Sequence, residues 1–174
     1  LKNNTYGGSF LYHMKNNQIS IGFVIGLDYK NPYLSPYNEF QKFKTHPKIK
    51  NLLKGGRRVA YGARALNEGG YQSLPKLYFP GGAIIGCDAG TLNVPKIKGT
   101  HTAMKSGMLA AENIIKLMNK NQDGMLLLKE YEKDFLNSWA GKELKEARNF
   151  RPGFKYGLII GTILGALDLK IFSG

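Results

Sequence analysis

Cysteine is almost absent: Cys87 is the one thiol in 174 residues. A lone thiol closes no internal disulfide and supplies by itself neither a cysteine-ligated zinc site nor an iron–sulfur cluster, and such usage fits a reducing compartment. Acidic residues are scarce as well, 12 against 25 Lys and Arg, which leaves a net charge of +13. A chain so charged is drawn to polyanions or anionic membrane surfaces, whatever its fold. No apolar run approaches the ~20 residues of a spanning helix. The dinucleotide fingerprint GxGxxG does not occur. The chain opens on Leu1 with no charged-then-apolar leader, and it reads as a piece of something longer.

What is abundant is glycine, 22 residues or roughly 13%, nearly double the usual ~7%. That excess implies tight turns, or places where a backbone approaches something closely. With 43% hydrophobic residues the chain is long enough for a sizeable core and too short for a large multidomain enzyme. Residues 19–27 (ISIGFVIGL) form a β-branched run preceded by the polar turn Lys15-Asn16-Asn17 and by a shorter run at 9–14. Two antiparallel strands joined as a hairpin are expected there. Pro32 and Pro36 break the sheet; Ser35 is placed to N-cap a helix with Pro36 at its first position, Phe40 and Phe43 on its apolar face, and Pro47 at its end.

Between Lys42 and Arg58 lie seven basic residues and no acid. A solvated face is the plain reading of such a run, and contact with anionic lipid headgroups is the functional one. Nucleic acid fits less well, because no aromatics interleave with the lysines as a stacking platform requires and Lys outnumbers the Arg that base-edge readout favours. From Arg57 to Gly86, short apolar pieces punctuated by Gly62, Gly69-Gly70, Pro75 and Pro80-Gly81-Gly82 predict several short strands, with residues 83–85 a buried one. Residues 100–118 carry apolar side chains at 103, 104, 108, 111, 114, 115 and 118, the period of a helix. Asp123 is a candidate cap for another helix with Leu127, Leu128, Tyr131 and Phe135 on one side, and residues 137–148 read as an exposed helix.

Strand, glycine turn (Gly86 to Gly90), loop and helix in that order gather free backbone N–H groups and a positive dipole end near Gly99-Thr100, a setting for an anion or an electron-rich carbonyl. The small residues Ala103, Ser106, Gly107, Ala110 and Ala111 let the helix approach a backbone or a flat ring. An ordinary strand-to-helix connection whose glycines serve turns explains the same residues.

The segments YGGSFLYH (6–13), GLDYKNPYLSPYNEFQKFKTHP (26–47), GGRRVAYGARALNEGGYQSLPKL (55–77) and FPGGAIIGCDAGTLNVPKIKGTHTAMKSG (79–107) closely resemble the electron-transferring flavoprotein:ubiquinone oxidoreductase family. In that family one chain holds FAD, a [4Fe-4S] cluster and a ubiquinone site, and passes electrons from reduced electron-transfer flavoprotein to membrane quinone. The resemblance implies an α+β fold. Residues 1–78 would be a ubiquinone-binding region with antiparallel strands, inserted in a glutathione-reductase-like FAD-binding domain. Residues 79–120 would be the second half of that domain, and 121–174 a helical region ending in a monotopic membrane-surface segment.

The resemblance also assigns residues. Gly86, Cys87, Gly90, Gly99 and Thr100 match the second FAD contact region, where a helix N-terminus favours the negative charge of a reduced flavin. The broader flavoprotein pattern has an Asp directly after the strand-ending glycine; here that position is Cys87 and the acid is Asp88. Cys87 reads as a packed thiol. Gly7 and Gly8 match backbone contacts to a ubiquinone carbonyl. His13 and His46 are candidate proton donors whose plain reading is structural. Residues 156–167 (YGLIIGTILGAL), with Gly157, Gly161 and Gly165 every fourth residue, would dip into one leaflet through Tyr156, Leu158, Ile159, Ile160, Ile163, Leu164 and Leu167, while Arg148, Arg151 and Lys155 meet headgroups. A buried soluble helix is the alternative.

The implied cofactors are FAD and a [4Fe-4S] cluster whose ligands lie outside these residues; no metal ligand and no catalytic acid or base is assigned here. The implied partners are ubiquinone, electron-transfer flavoprotein and membrane lipid, without nucleic acid, on the cytoplasmic face of a bacterial inner membrane or the matrix face of the mitochondrial one. The isolated polypeptide is then expected to be inactive and to bind FAD weakly or not at all. A prenyl-reductase-like flavoenzyme and a non-enzymatic basic membrane-binding module are the competing readings.

Overall fold

A computed structural model describes residues 5–119 and 126–168. The chain divides into two compact units, Leu1–Gly62 and Ala63–Gly174. The Asp123 cap lies outside the described residues.

The first unit is built on the expected hairpin. Strands β1 (Gly7–Met14) and β2 (Gln18–Ile25) pair antiparallel in unbroken register from Gly7 opposite Ile25 to Met14 opposite Gln18. The turn works because Asn16 and Asn17 take φ of 59° and 53°, the left-handed region that Asn tolerates better than other side chains, and that matches the twist of the strands. One sheet face carries Phe23, whose ring lies 5.2 Å from that of Phe43 on helix α1 (Pro36–Lys44). Helix α1 starts as its sequence requires, with Pro36 in the first turn and the Ser35 Oγ accepting from the Asn38 N–H at 3.3 Å. Pro47 ends nothing by itself: α1 has already closed at Thr45, and Pro47 opens a second helix, α2 (Pro47–Leu53).

The other sheet face has Gly8, Phe10, Tyr12 and Met14 in a row, all exposed. A Cβ built on Gly22, opposite Phe10, would run into the Phe10 ring, so glycine is what lets that ring lie over the strand.

The several strands expected between 57 and 85 reduce to one two-residue ladder in the second unit, β3 (Tyr78–Phe79) with β4 (Gly82–Ala83), while residues 56–70 have no regular structure. Residues 83–85 are not a buried strand: only Ala83 pairs, and Ile85 is exposed. The core lies between α3 (Thr100–Met118), α4 (Lys129–Asn137) and α5 (Trp139–Glu146), where Leu77, Ala89, Leu109, Tyr131, Phe135 and Leu144 are buried together. Each such large side chain contributes about 1.5–3 kcal/mol on leaving water. Residues 137–148 are therefore less exposed than their mixed charge suggests, because Ala140, Gly141 and Leu144 face inward.

Helix α3 spans the expected residues but turns the opposite face inward. Its apolar stripe at Met104, Met108, Ile115 and Met118 is exposed, and the buried face is Thr102, Ser106, Leu109, Ala110 and Asn113. The polar members pack because each finds a partner: Thr102 Oγ1 donates to the Thr91 carbonyl at 2.6 Å, and Asn113 Nδ2 donates to the Leu109 carbonyl and to Asp134 Oδ2 at 2.9 and 3.0 Å.

Candidate functional site

The glycine turn is a single 3-10 turn, Gly86–Ala89, closed by Gly90 in the left-handed region at φ 82°. Gly86 also has a positive φ, 62°, and its backbone lies so close to α3 that an added Cβ would sit 3.4 Å from the Ala103 Cβ. Its N–H donates to the buried Ser106 Oγ at 2.8 Å, and Ser106 in turn donates to the Ala103 carbonyl at 2.7 Å. The Gly90 N–H returns to the Cys87 carbonyl at 2.9 Å. Both glycine N–H groups are thus spent inside the protein, and these glycines shape the site by their backbone geometry.

Nearby, the Tyr131 hydroxyl donates to the Ile84 carbonyl at 3.0 Å. Burial pushes this phenol up to about 12, the Glu132 carboxylate adds to the shift, and the neighbouring Ser106 hydroxyl opposes it.

Backbone donors without a side-chain cap come from α3. Its N-cap is Gly99, which has no side chain to cap with, and the first intrahelical bond closes from the Ala103 N–H to the Gly99 carbonyl at 2.9 Å. The first-turn N–H groups around Thr100 have no intrahelical acceptor, and Thr100 is exposed. Close to them in sequence the Thr91 Oγ1 is buried without a hydrogen-bond partner among the described residues.

Two residues without an assigned role in the sequence now have one. Asn67 Nδ2 donates to the Cys87 and Asp88 carbonyls at 3.2 and 3.4 Å, holding the loop at 64–68 onto the glycine turn. Glu68 meets Arg151, whose Nη1 lies 3.2 Å from the Glu68 carbonyl and 3.5 Å from its carboxylate. Asp88 pairs with Arg64, at 3.5 Å with both side chains largely in water, a contact worth little. Cys87 is half-buried.

Sequence reasoning missed Glu143. One carboxylate on α5 gathers Asn93, Lys96 and His101 from the loop and helix that follow the glycine turn. Burial raises its pKa, but hydrogen bonds from Lys96, His101 and Asn93 together with the Lys96 charge outweigh this and hold it below the usual value. The only signal in the sequence is one of two acids in a helix of mixed charge, which looks like a solvated residue.

In the first unit the ladder decides which glycine of the Gly7-Gly8 pair can donate outward. The Gly26 N–H donates to the Tyr6 carbonyl at 2.8 Å, which makes that pair a hydrogen-bonded one. Alternation then commits Gly8, opposite Val24, to the ladder and turns the Gly7 N–H to the open edge of β1. His13 is exposed on β1, and His46 precedes α2 without a side-chain capping bond.

At the other end of the chain, helix α6 (Phe150–Gly153) and a 3-10 turn lead to α7 (Leu158–Leu167). Gly157 is the cap of α7, at φ 94°; Gly161 and Gly165 form the packing stripe, where a Cβ would come within 2.7 Å of the Phe154 backbone and 2.8 Å of the Phe150 ring. Tyr156, Leu158, Ile159, Ile160, Ile163, Leu164 and Leu167 are all exposed. Among the described residues no helix is long and apolar enough to cross a membrane, and no group of three or more His, Cys, Asp or Glu could hold a metal ion.

A family model described as "ETF-QO, ubiquinone-binding" matches residues 1–66. The chain is 56% identical over 174 residues to the mitochondrial electron transfer flavoprotein-ubiquinone oxidoreductase of Oryza sativa subsp. japonica, a match covering 100% of this chain and 30% of that protein. It is 58% identical over 180 residues to the Homo sapiens protein of the same description, covering 100% and 28%. With that of Dictyostelium discoideum the identity is 51% over 186 residues, covering 100% and 31%. The chain therefore spans about 30% of the length of the curated relatives it matches.

Proposed function

We propose that this chain belongs to the electron transfer flavoprotein-ubiquinone oxidoreductase family, and that its residues supply the quinone-facing hairpin, part of a flavin cradle and a membrane-surface helix of such an enzyme. The observation that carries this is identity above 50% along the whole chain to proteins so named. The whole enzyme would pass electrons from reduced electron-transfer flavoprotein to ubiquinone, which takes up two electrons and two protons, at the mitochondrial or bacterial inner membrane.

FAD fits what is present. The uncapped first turn of α3 at Gly99-Thr100 suits the electron-rich end of a flavin, Thr91 Oγ1 is a buried hydroxyl without a partner among the described residues, and the Gly86 and Gly90 turn leaves no Cβ in the way. When bound, FAD supplies stepwise electron acceptance and release. The chain's own part is to orient: the Ser106 and Tyr131 hydroxyls fix residues 84–86 against α3 and α4, and Asn67 holds the outer side of the turn. A [4Fe-4S] cluster does not fit here, because it needs several thiolates and the chain has Cys87 alone.

For the quinone, the Gly7 N–H at the open edge of β1 suits a carbonyl oxygen, and the exposed row of Phe10, Tyr12 and Met14 suits a flat apolar molecule. Helix α7, exposed on its leucine and isoleucine side chains and stacked through glycine on α6, suits one leaflet with Arg148, Arg151 and Lys155 near the headgroups.

The test places this 174-residue segment in the full-length rice relative, in exchange for the stretch it aligns with, and assays ubiquinone reduction by reduced electron-transfer flavoprotein. Activity is expected to persist. Gly7→Pro removes one outward N–H from an edge strand that tolerates proline, so KM for ubiquinone should rise about tenfold, the worth of one hydrogen bond, with turnover on a soluble one-electron acceptor unchanged. A chimera that folds and binds flavin yet cannot reduce ubiquinone would overturn the reading.

A further inference from the structure

We propose that Glu143 is a positioning residue for the flavin end of this site, fixing the loop at 93–98 and the first turn of α3 in one arrangement. The proposal rests on the flavin reading above.

Three donors from three points of the chain converge on this carboxylate. Its Oε1 accepts from Asn93 Nδ2 at 2.9 Å and from His101 Nε2 at 2.8 Å, and its Oε2 from Lys96 Nζ at 2.8 Å. The Glu143 side chain is only 18% exposed, so these bonds work in a partly desolvated setting where charge-assisted hydrogen bonds are strong. Asn93 stands at the base of the loop and Lys96 at its tip. His101 follows Thr100 directly in the first turn of α3.

The loop needs an outside anchor. It is pinched by the Asn93–Lys98 bridge and by the Lys96 N–H donating to Asn93 Oδ1 at 3.1 Å. Ile97 sits at φ 51°, a conformation that β-branched side chains adopt only under constraint. Helix α5 provides that anchor twice, because the Trp139 indole lies parallel to the His101 ring, 5.7 Å between centroids and 11° between planes. With the imidazole held by a carboxylate at one nitrogen and an indole on its face, His101 cannot rotate without carrying the Thr100 backbone with it. An ordinary surface ion pair has one partner and leaves the backbone free; this carboxylate has three and spans both sides of Gly99.

The experiment uses the full-length family protein carrying this segment. Wild type, Glu143→Gln, Lys96→Met and, as a control on the same helix, Leu144→Val are compared by FAD dissociation constant, by the shape of the flavin absorption bands and by the denaturant midpoint. Leu144 is buried in the apolar core and carries no polar atom to bond the three donors, so its variant should lower the midpoint and leave FAD affinity unchanged. Glu143→Gln should weaken FAD binding about tenfold and alter the band shape. Lys96→Met removes only an exposed amine, keeps the fold, and should weaken binding about threefold. FAD affinity within twofold of wild type in Lys96→Met, or in a folded Glu143→Gln, overturns the proposal. A wild-type protein that takes up no flavin overturns the flavin reading, and the proposal with it.

Discussion

Ser106 shows how a small polar side chain on a helix can matter more than its apolar neighbours. Its hydroxyl is the acceptor for the buried Gly86 N–H, so Ser106→Ala leaves that donor unpaired at a cost of about 1–3 kcal/mol. Chemical denaturation should show the lower midpoint, and Met104→Ala, at an exposed position of the same helix, should not. Tyr131 gives a pH-dependent counterpart. Its pKa of about 12 in the folded protein lies above the ordinary 10.0, so the fold favours the neutral phenol. The stabilisation is complete below pH 10 and is lost as pH rises from 10 toward 12, where the unfolded chain ionises first. Unfolding midpoints between pH 8 and 11.5 should fall less steeply in Tyr131→Phe than in wild type. Neither residue stood out in the sequence, where Ser106 counted only as small and Tyr131 only as one side of a helix.

Among the elements, the hairpin and α1 were readable because their signals are local: a pair of Asn residues at the turn and a Ser-Pro start. Helix α3 was readable in extent and not in orientation, since its period marks an apolar face without saying what packs against it. Helix α7 falls between these cases. Its glycines every fourth residue predicted close packing, and Gly161 and Gly165 do pack, against Phe154 and Phe150. Gly161→Val would drive a side chain into the Phe154 backbone, so α7 should separate from α6 at a cost of about 1–3 kcal/mol. Hydrogen exchange should then quicken along residues 158–167 and stay unchanged in β1 and β2.

For the whole molecule, charge is the dominant property. At +13 the chain should bind vesicles containing anionic phospholipid more tightly than purely zwitterionic ones at low salt. Ile159→Ser with Ile163→Ser should abolish the fraction that stays bound at high salt, which reports apolar insertion by α7; equal salt sensitivity with and without these changes would count against a membrane-surface role for α7. Acid acts on the second unit through Glu143. Its pKa lies below the ordinary 4.5, so the fold favours the carboxylate, and its contribution is present above that value and lost as pH falls through the lowered pKa. Thermal melts from pH 6 to 3 should show a shallower acid loss in Glu143→Gln.

The sequence alone determined the hairpin, the extents of α1 and α3 and the family resemblance, because turn chemistry, helix starts and long matching segments depend on residues near one another in the chain. Tertiary structure decided which face of α3 is buried, which glycine N–H groups are spent inside the protein, and that Glu143 ties three distant donors together. Those outcomes depend on groups 11, 20, 42 and 50 residues apart finding hydrogen-bond distance, as in the Thr102 hydroxyl with the Thr91 carbonyl, the Ser106 hydroxyl with the Gly86 N–H, His101 with Glu143 and Asn93 with Glu143. A buried polar group must be paired wherever its partner lies in the chain, and no periodicity records where that is.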